Sequence, residues 1–398
     1  MMRPDAGAFV EGPRLLESGA PDGALSGLTF TAKELFDVKG LPTGCGNPQL
    51  RGSVAPAGQN AVAVQSLLDA GADLIGTTVT VEFAWSLSGI NPHHGTPDNP
   101  ADPHGLPGGS SAGAAAATAA GICDLALGTD TAGSVRVPAA YCGLLGIRPT
   151  HGRTSLGGVA PLAPSFDTTG WFARDTSVFE AAGKVLLDDW AEPSAPAGIT
   201  LLPDAFALAS VEVRNGIEPL VAAAIDRVGG AVIEVAAGPA GVFEQWASAF
   251  SARGLREGWE SNRAFFEEFG SAGVGEEIRP RFDMGPNITD DQVEAADEVI
   301  AAAKQRLKIL TEDGQAIVLL PAAPQLAPRR FDEVAQAGLQ RVPLLQTTAL
   351  ATLTGAPAVT VPIRTFTGTQ VGLSLLGAPG TDEMLIAFAA RLVELLSL

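Results

Sequence analysis

Three stretches of the chain carry apolar residues at the spacing of an amphipathic helix. Residues 60–72 show this period and end near Gly71, which predicts a helix closed by a glycine. Residues 289–310 open with Thr289-Asp-Asp-Gln, a capping-box sequence, and continue with one apolar face. Residues 384–396 have the same period and predict a closing helix.

Short apolar runs predict buried strands between and around these helices. They cover residues 28–32, 74–78, 316–320, 359–363 and 371–376. Because strands and helices are mixed along the chain, we expect an α/β fold. Its core should be a central mixed β-sheet covered by helices on both faces.

The chain of 398 residues is predicted to form one domain. Residues 1–25 precede the first predicted strand and are expected to be an N-terminal extension. Residues 28–175 hold the motifs described below and form the expected catalytic core. Residues 235–310 combine aromatic and acidic residues, and their first part has weak periodicity. We expect a helical region there that covers the substrate entrance.

Charge and composition exclude several classes of function. A formal net charge of −19 argues against nucleic acid or an anionic membrane surface as a partner, because like charges repel. Three cysteines without a C-x-x-C pair argue against a disulfide framework and a structural zinc site. The first residues lack the apolar core of a signal peptide. We therefore expect a soluble cytoplasmic protein without a metal or another cofactor.

Two Gly- and Ser-rich segments carry the candidate chemistry. Residues 108–113 read GGSSAG and residues 128–134 read GTDTAGS. Small residues let backbone N–H groups approach a reacting atom, and a serine held among them can act as a nucleophile. Ser134 is the preferred nucleophile, because the N–H groups of the three preceding residues could form an oxyanion hole. These are Thr131, Ala132 and Gly133.

Each of these serines also has a simpler structural interpretation. Ser110 and Ser111 precede a run of small residues with helical character, where serine is a good N-cap. Ser134 precedes Val-Arg-Val-Pro and could equally cap a helix. The local pattern around Ser134 does not decide between cap and nucleophile.

Lys33 is one of only five lysines and directly follows the predicted strand 28–32. Taken alone, a single lysine is usually a solvated surface residue. Burial at the end of this strand would instead lower its pKa and make a neutral amine available as a base.

The conjunction of Lys33, GGSS and GTDTAGS resembles the amidase signature family of serine hydrolases. Further matching segments are residues 33–40, 136–139, 142–150 and 355–362, so that the resemblance spans essentially residues 28–392. It implies that Ser134 is the nucleophile that forms the acyl-enzyme, that Ser110 is a bridging serine after a cis peptide bond, and that Lys33 is the base. Ser111, Asp130 and Arg136 are expected to support the site, although Arg136 could also be an ordinary surface arginine.

Two positions depart from the usual glycines of this family. Ala112 and Ala132 stand where GGSSGG and GTDTGGS have glycine. The methyl group of Ala132 would matter only if that residue needed a positive φ. We therefore expect activity to be retained.

The sequence is also compatible with two other kinds of catalytic site. Residues 109–113 also satisfy G-x-S-x-G, the nucleophile elbow of α/β-hydrolases, with Ser111 as the nucleophile. That motif needs a preceding strand, and a proline-rich loop is predicted there instead. His93, His94 and His104 could suggest a metal site, but their loop lacks ligand spacing.

The resemblance is strongest to amidases of the indole-3-acetamide hydrolase type. The expected substrate is a small to medium primary amide such as an aryl-acetamide, with Phe83 and Trp85 as weak candidates for the pocket, although core packing explains these two residues equally well. Three alternatives remain: a hydrolase of small carbamoyl or urea-derived amides, the glutamine amidase subunit of a transamidating complex, and a non-catalytic amidase-like scaffold. A homodimer also remains open.

Overall fold

The computed structural model describes residues 3–330 and 333–396. Within these ranges it contains eleven strands: β1 (Phe9–Glu11), β2 (Thr29–Lys33), β3 (Asp73–Thr78), β4 (Leu125–Thr129), β5 (Leu145–Arg148), β6 (Thr169–Ala173), β7 (Gly198–Leu201), β8 (Ala231–Glu234), β9 (Ala316–Pro321), β10 (Ala358–Arg364) and β11 (Gln370–Leu376). The same ranges contain twelve α-helices: α1 (Pro48–Ser53), α2 (Val62–Asp69), α3 (Ala112–Ala119), α4 (Arg136–Cys142), α5 (Thr176–Leu186), α6 (Pro203–Leu208), α7 (Val211–Val228), α8 (Val242–Phe269), α9 (Arg279–Met284), α10 (Asp290–Leu310), α11 (Glu333–Thr354) and α12 (Asp382–Leu396).

All of these strands belong to one sheet, in the order β1-β3-β2-β4-β6-β5-β10-β11-β9-β7-β8. β2 is parallel to both of its neighbours, β3 and β4, whereas β4 and β6 are antiparallel. β10 and β11 form an antiparallel pair over seven residues. The predicted mixed sheet is confirmed, and β2 lies inside it rather than at an edge.

Helices cover both faces of the sheet, and the side chains of β9 show this most directly. Ile317 and Leu319 pack into a core with α2, α5, α7 and α12. The alternate residues Val318 and Leu320 pack into a second core with α8, α10 and α11. Successive side chains of a strand point to opposite faces, so both faces are buried.

The elements predicted from periodicity are present with small shifts at their ends. α2 ends at Asp69 with Ala70 as its C-cap, and Gly71 follows with a φ of +99°. The capping box of α10 forms between Thr289 and Gln292 as predicted. The segment expected to be an N-terminal extension contributes β1, which pairs with β3 at the edge of the sheet.

Residues 235–310 are mostly helical, and α8 is the longest helix of the described chain. α8 packs extensively on α10 and α11, and its buried face carries aromatic residues such as Phe250 and Phe266. Across the described ranges, no helix has both the length and the apolar character needed to cross a membrane.

The capping box of α10 predicts a measurable contribution to stability. Thr289→Ala removes the hydroxyl that accepts the Gln292 N–H, and we expect the free energy of unfolding to fall by about 1 kcal/mol. Thr289→Ser keeps that oxygen and should stay close to wild type. Urea unfolding of the three proteins checks the prediction, and equal stability of the alanine variant and wild type would contradict it.

Candidate active site

Lys33 is the last residue of β2, an interior strand of the sheet, and its side chain is completely buried. Its Nζ donates hydrogen bonds to Ser110 Oγ and to Thr129 Oγ1, both at 2.7 Å. Burial disfavours the charged amine and lowers the pKa of Lys33 to about 7, although the carboxylates of Asp130 and Asp167 oppose the shift. The alternative of a solvated surface lysine is therefore wrong.

Ser110 lies in a loop that is held by backbone contacts on both sides of its peptide. The Gly109–Ser110 bond is cis, the Gly109 N–H donates to Leu87 O, and Ser110 O accepts the Val81 N–H. A Cβ on Gly109 would lie 2.6 Å from the backbone nitrogen of Gly89. The glycine is thus needed for close approach of two loops.

Ser111 connects the first serine loop to the second. Its Oγ lies 3.2 Å from Thr129 O, and its N–H donates to Ser134 O at 3.3 Å. Ser111 is the N-cap residue of α3, but its side chain makes no capping hydrogen bond. Ser111 thus occupies the predicted cap position without a side-chain cap, and Ser110 is not a cap, since its Oγ is bonded to Lys33.

Asp130 organises the loop that carries Ser134. Its carboxylate accepts the backbone N–H groups of Gly133 at 2.9 Å and Val135 at 3.1 Å, and the side chain of Arg136 at 2.9 and 3.0 Å. Burial alone would raise the pKa of Asp130, but Arg136 and Arg148 hold it well below its usual range. Arg136 is itself buried, so the surface interpretation of this arginine is wrong.

Ser134 is buried next to this loop and is not a helix cap. α4 begins at Arg136, and its N-cap residue is Val135. The backbone of Ala132 does not have a positive φ, whereas Gly133 has a φ of +122°. The methyl group of Ala132 is therefore accommodated without the strain that a positive φ would bring.

A profile of the family described as Amidase matches residues 11–213 of the chain. "Amidase 1" of Oryza sativa subsp. japonica is 34% identical over 99% of this chain and 96% of its own length. The chain belongs to the amidase signature family. Hydrolysis of amide C–N bonds is the reaction class of that family.

Two further proteins resemble this amidase. "Amidase 1" of Arabidopsis thaliana is 46% identical over 231 residues, which is 57% of this chain but only 54% of that protein. A solved structure described as "Crystal structure of amidase" has a TM-score of 0.82 at 30% identity, and the match covers 94% of this chain and 85% of the other. The α/β fold predicted from the sequence pattern is thus confirmed.

Three residues at the centre of the amidase were not singled out by their sequence. Thr129 accepts from Lys33, and its place in the GTDTAGS segment is the signal that could have brought it forward. Asp167 accepts the Thr131 hydroxyl at 2.6 Å. Thr348, on α11, donates to Ala132 O at 2.6 Å, and no local pattern points to a residue so distant in sequence.

The pocket candidates Phe83 and Trp85 are buried in an aromatic cluster. The Phe83 ring lies 5.0 Å from that of Phe265 and 5.3 Å from that of Phe282. Trp85 meets Phe282 edge-on, with 4.1 Å between ring centroids. These contacts are those expected of core packing between the catalytic core and α8 and α9.

The competing catalytic arrangements do not form in this amidase. The segment before Ser111 is a loop rather than a strand, and Ser111 Oγ is bonded to the backbone of β4, so the nucleophile-elbow hypothesis is wrong. His93 Nε2 pairs with Glu82 Oε1 at 2.7 Å, and His104 is exposed. Among the described residues, no group of three or more His, Cys, Asp or Glu side chains could hold a metal.

The burial of Lys33 predicts a pH-dependent stability. Its pKa is about 7 in the folded chain against about 10.5 in the unfolded chain. Between these values the unfolded chain binds more protons, so the free energy of unfolding rises with pH, by up to about 1.4 kcal/mol per pH unit. Lys33→Met removes this contribution. Urea unfolding between pH 7 and pH 9 should therefore show a wild-type-minus-variant difference that grows with pH, and a flat difference would contradict the lowered pKa.

Proposed function

We propose that this amidase cleaves a small to medium primary amide, such as an aryl-acetamide, to a carboxylate and ammonia through an acyl-enzyme on Ser134. The observation that carries the proposal is the 2.7 Å contact between the buried Lys33 Nζ and Ser110 Oγ. At neutral pH an amine with a pKa of about 7 is deprotonated in about half of the molecules, which is enough to act as a base. The second serine loop is attached to the first through the Ser111 N–H and Ser134 O.

In the proposed acylation, neutral Lys33 takes the proton of Ser110 while Ser110 takes that of Ser134. Ser134 Oγ then bonds to the amide carbon, and the carbonyl oxygen becomes an oxyanion. An activated nucleophile divides one difficult step into two easier ones. As the C–N bond breaks, the proton on Lys33 returns through Ser110 to the leaving nitrogen, so that ammonia departs neutral.

The oxyanion is assigned to the backbone N–H groups of Thr131 and Ala132. Gly133 was the third predicted donor, but its N–H is already bonded to Asp130 Oδ1 at 2.9 Å. Each oxyanion donor contributes about 2.7–4 kcal/mol of transition-state stabilisation in serine hydrolases. Water then attacks the acyl carbon by the same proton route and releases the carboxylate.

The aromatic cluster supports an apolar substrate. Phe83 and Trp85 follow β3 in a loop whose Val81 N–H binds Ser110 O, so the cluster adjoins the loop of the bridging serine. α8 and α9 complete the cluster from the predicted covering region. We propose that an aryl group binds at the edge of this cluster, beside the loop of the bridging serine, because aromatic side chains bind rings in offset or edge-to-face contacts.

We place this reaction in the cytoplasm, with a small-molecule amide as the partner and no nucleic acid. The net charge of −19 supports the proposal that nucleic acid is not a partner, because like charges repel. Cys45, Cys123 and Cys142 are buried free thiols, which suits a reducing compartment.

The function is tested by ammonia release from a panel of an aryl-acetamide, an aliphatic amide, glutamine and a biuret-like compound. We expect the aryl-acetamide to be the best substrate, and Ser134→Ala to lower turnover by at least about 1,000-fold while remaining folded. A folded Ser134→Ala protein at the wild-type rate would refute the acyl-enzyme. If wild type releases no ammonia and does not react with a fluorophosphonate, the scaffold alternative gains support.

The role of Lys33 as the base predicts the shape of the pH profile. Because the protonated amine cannot accept a proton, kcat/KM should fall as the pH drops below about 7. Lys33→Ala should lower kcat by about 100- to 10,000-fold. Lys39→Ala, at an exposed lysine six positions along, is the matched control and should behave as wild type. An activity that is constant from pH 5 to pH 8 would contradict the assignment.

A further inference from the structure

Asp167 is a buried carboxylate to which no role has been assigned so far. It lies directly beside residues 131–133, which we call the oxyanion loop. Its Oδ1 accepts the Thr131 hydroxyl at 2.6 Å. Its other contacts are the backbone N–H groups of Leu162, at 2.9 Å, and Ala163, at 3.0 and 3.2 Å. All of these partners are donors, so the carboxylate serves here purely as an acceptor.

The oxyanion loop is held at three successive residues, and each contact is of a different kind. Thr348 Oγ1 donates to Ala132 O at 2.6 Å, and the Gly133 N–H donates to Asp130. Both of these contacts use the backbone of the loop. At Thr131 only the side chain is held, by Asp167. The peptide that carries the Thr131 N–H is fixed at its Asp130 carbonyl, which accepts from Arg148 Nη1 and from Thr168. The next peptide, which carries the Ala132 N–H, is anchored through the Thr131 hydroxyl–carboxylate bond.

The position of Asp167 is in turn set by its own loop and by α8. The Leu162 and Ala163 N–H groups close the loop around its carboxylate. The neighbouring Phe166 ring lies 5.4 Å from that of Phe250, and Ser165 Oγ donates to Glu257 at 2.6 Å. Phe250 and Glu257 belong to α8, so Asp167 joins the helical region to the oxyanion loop.

We propose that Asp167 is a positioning residue that orients the Ala132 N–H toward the oxyanion through the Thr131 side chain. This inference rests on the proposed acyl-enzyme function. Asp167 touches neither the substrate nor the reacting atoms. Through this donor it acts on the transition state, because the donor meets a full negative charge only after Ser134 has attacked. Its charge also raises the pKa of Lys33, which is a separate effect.

The test uses Thr131→Val, which keeps the shape and the backbone N–H of Thr131 but removes the hydroxyl. Losing a whole oxyanion donor costs about 100- to 1,000-fold in kcat, so misorienting one should cost about 10- to 100-fold. The expected result is this loss in kcat with KM unchanged. Thr131→Ser restores a hydroxyl and should return kcat to within about threefold of wild type.

Asp167→Asn gives the second arm of the experiment. An amide presents N–H donors on one side, so it cannot accept both from Thr131 and from the Leu162 and Ala163 N–H groups. At pH 9 Lys33 is neutral with or without the Asp167 charge. At that pH we expect a loss similar to that of Thr131→Val, and no further loss in the double variant, because both changes break the same hydroxyl–carboxylate contact. Additive losses would overturn the proposal. If Asp167→Asn does not fold, Thr131→Val decides alone.

The affinity for phenylboronic acid distinguishes a positioning role from a merely structural one. Its tetrahedral adduct with a serine mimics the oxyanion, so its affinity should fall by the same factor as kcat/KM in Thr131→Val. The affinity for the carboxylate product should not change. A wild-type boronate affinity, or a loss carried by KM alone, would overturn the proposal.

Thr29→Val is the matched control. Thr29 Oγ1 also donates to a carboxylate, that of Asp124 at 2.9 Å, but Thr29 begins β2 at the end opposite Lys33. We expect its kcat to stay within about twofold of wild type, and a loss equal to that of Thr131→Val would overturn the positioning role. Failure of the proposed acyl-enzyme function would be observed separately, because Ser134→Ala would then turn over substrate at the wild-type rate.

Discussion

The burial of one amine at the end of an interior β-strand is the constraint on which the candidate active site depends. Lys33 Nζ has two hydroxyl partners, Ser110 and Thr129, and the nearby carboxylate of Asp130 binds arginines instead. A carboxylate in direct contact would stabilise the ammonium form, whereas hydroxyls leave desolvation in control. The lysine is thereby held with a pKa of about 7 beside a serine.

Asp130 links this amine to the geometry of the second serine loop. The negative charge of its carboxylate is neutralised by Arg136 and Arg148, which are both buried. The same carboxylate oxygens also accept hydrogen bonds from backbone N–H groups of the loop. Arg136 also donates to Thr348 O on α11, so the C-terminal half of the chain contacts the loop. A buried ion pair costs desolvation that its Coulomb energy repays only with such additional hydrogen bonds. Here those bonds shape the loop that carries Ser134.

Much of the fold and the centre of the site could be predicted from sequence because the signals are local. The capping box and the helical spacing of apolar residues identified α10, and short apolar runs identified β9, β10 and β11. Two short motifs identified Ser110 and Ser134 as candidate catalytic residues. α8 was not resolved as one helix, because aromatic and charged residues alternate along it and its apolar face shows only against α10 and α11. Asp167 and Thr348 were missed because their contacts join parts of the chain that are far apart in sequence.

The central claim is that Ser134 carries the acyl group, and trapping that intermediate tests it most directly. The amidase would be mixed with an aryl-acetamide, quenched in acid within the first turnover, digested and analysed by mass spectrometry. The account predicts that the mass of the acyl group is added to the peptide containing Ser134 and that Lys33→Ala abolishes this addition. Acylation of the peptide containing Ser111 instead, or rapid turnover with no acylated peptide, would contradict it.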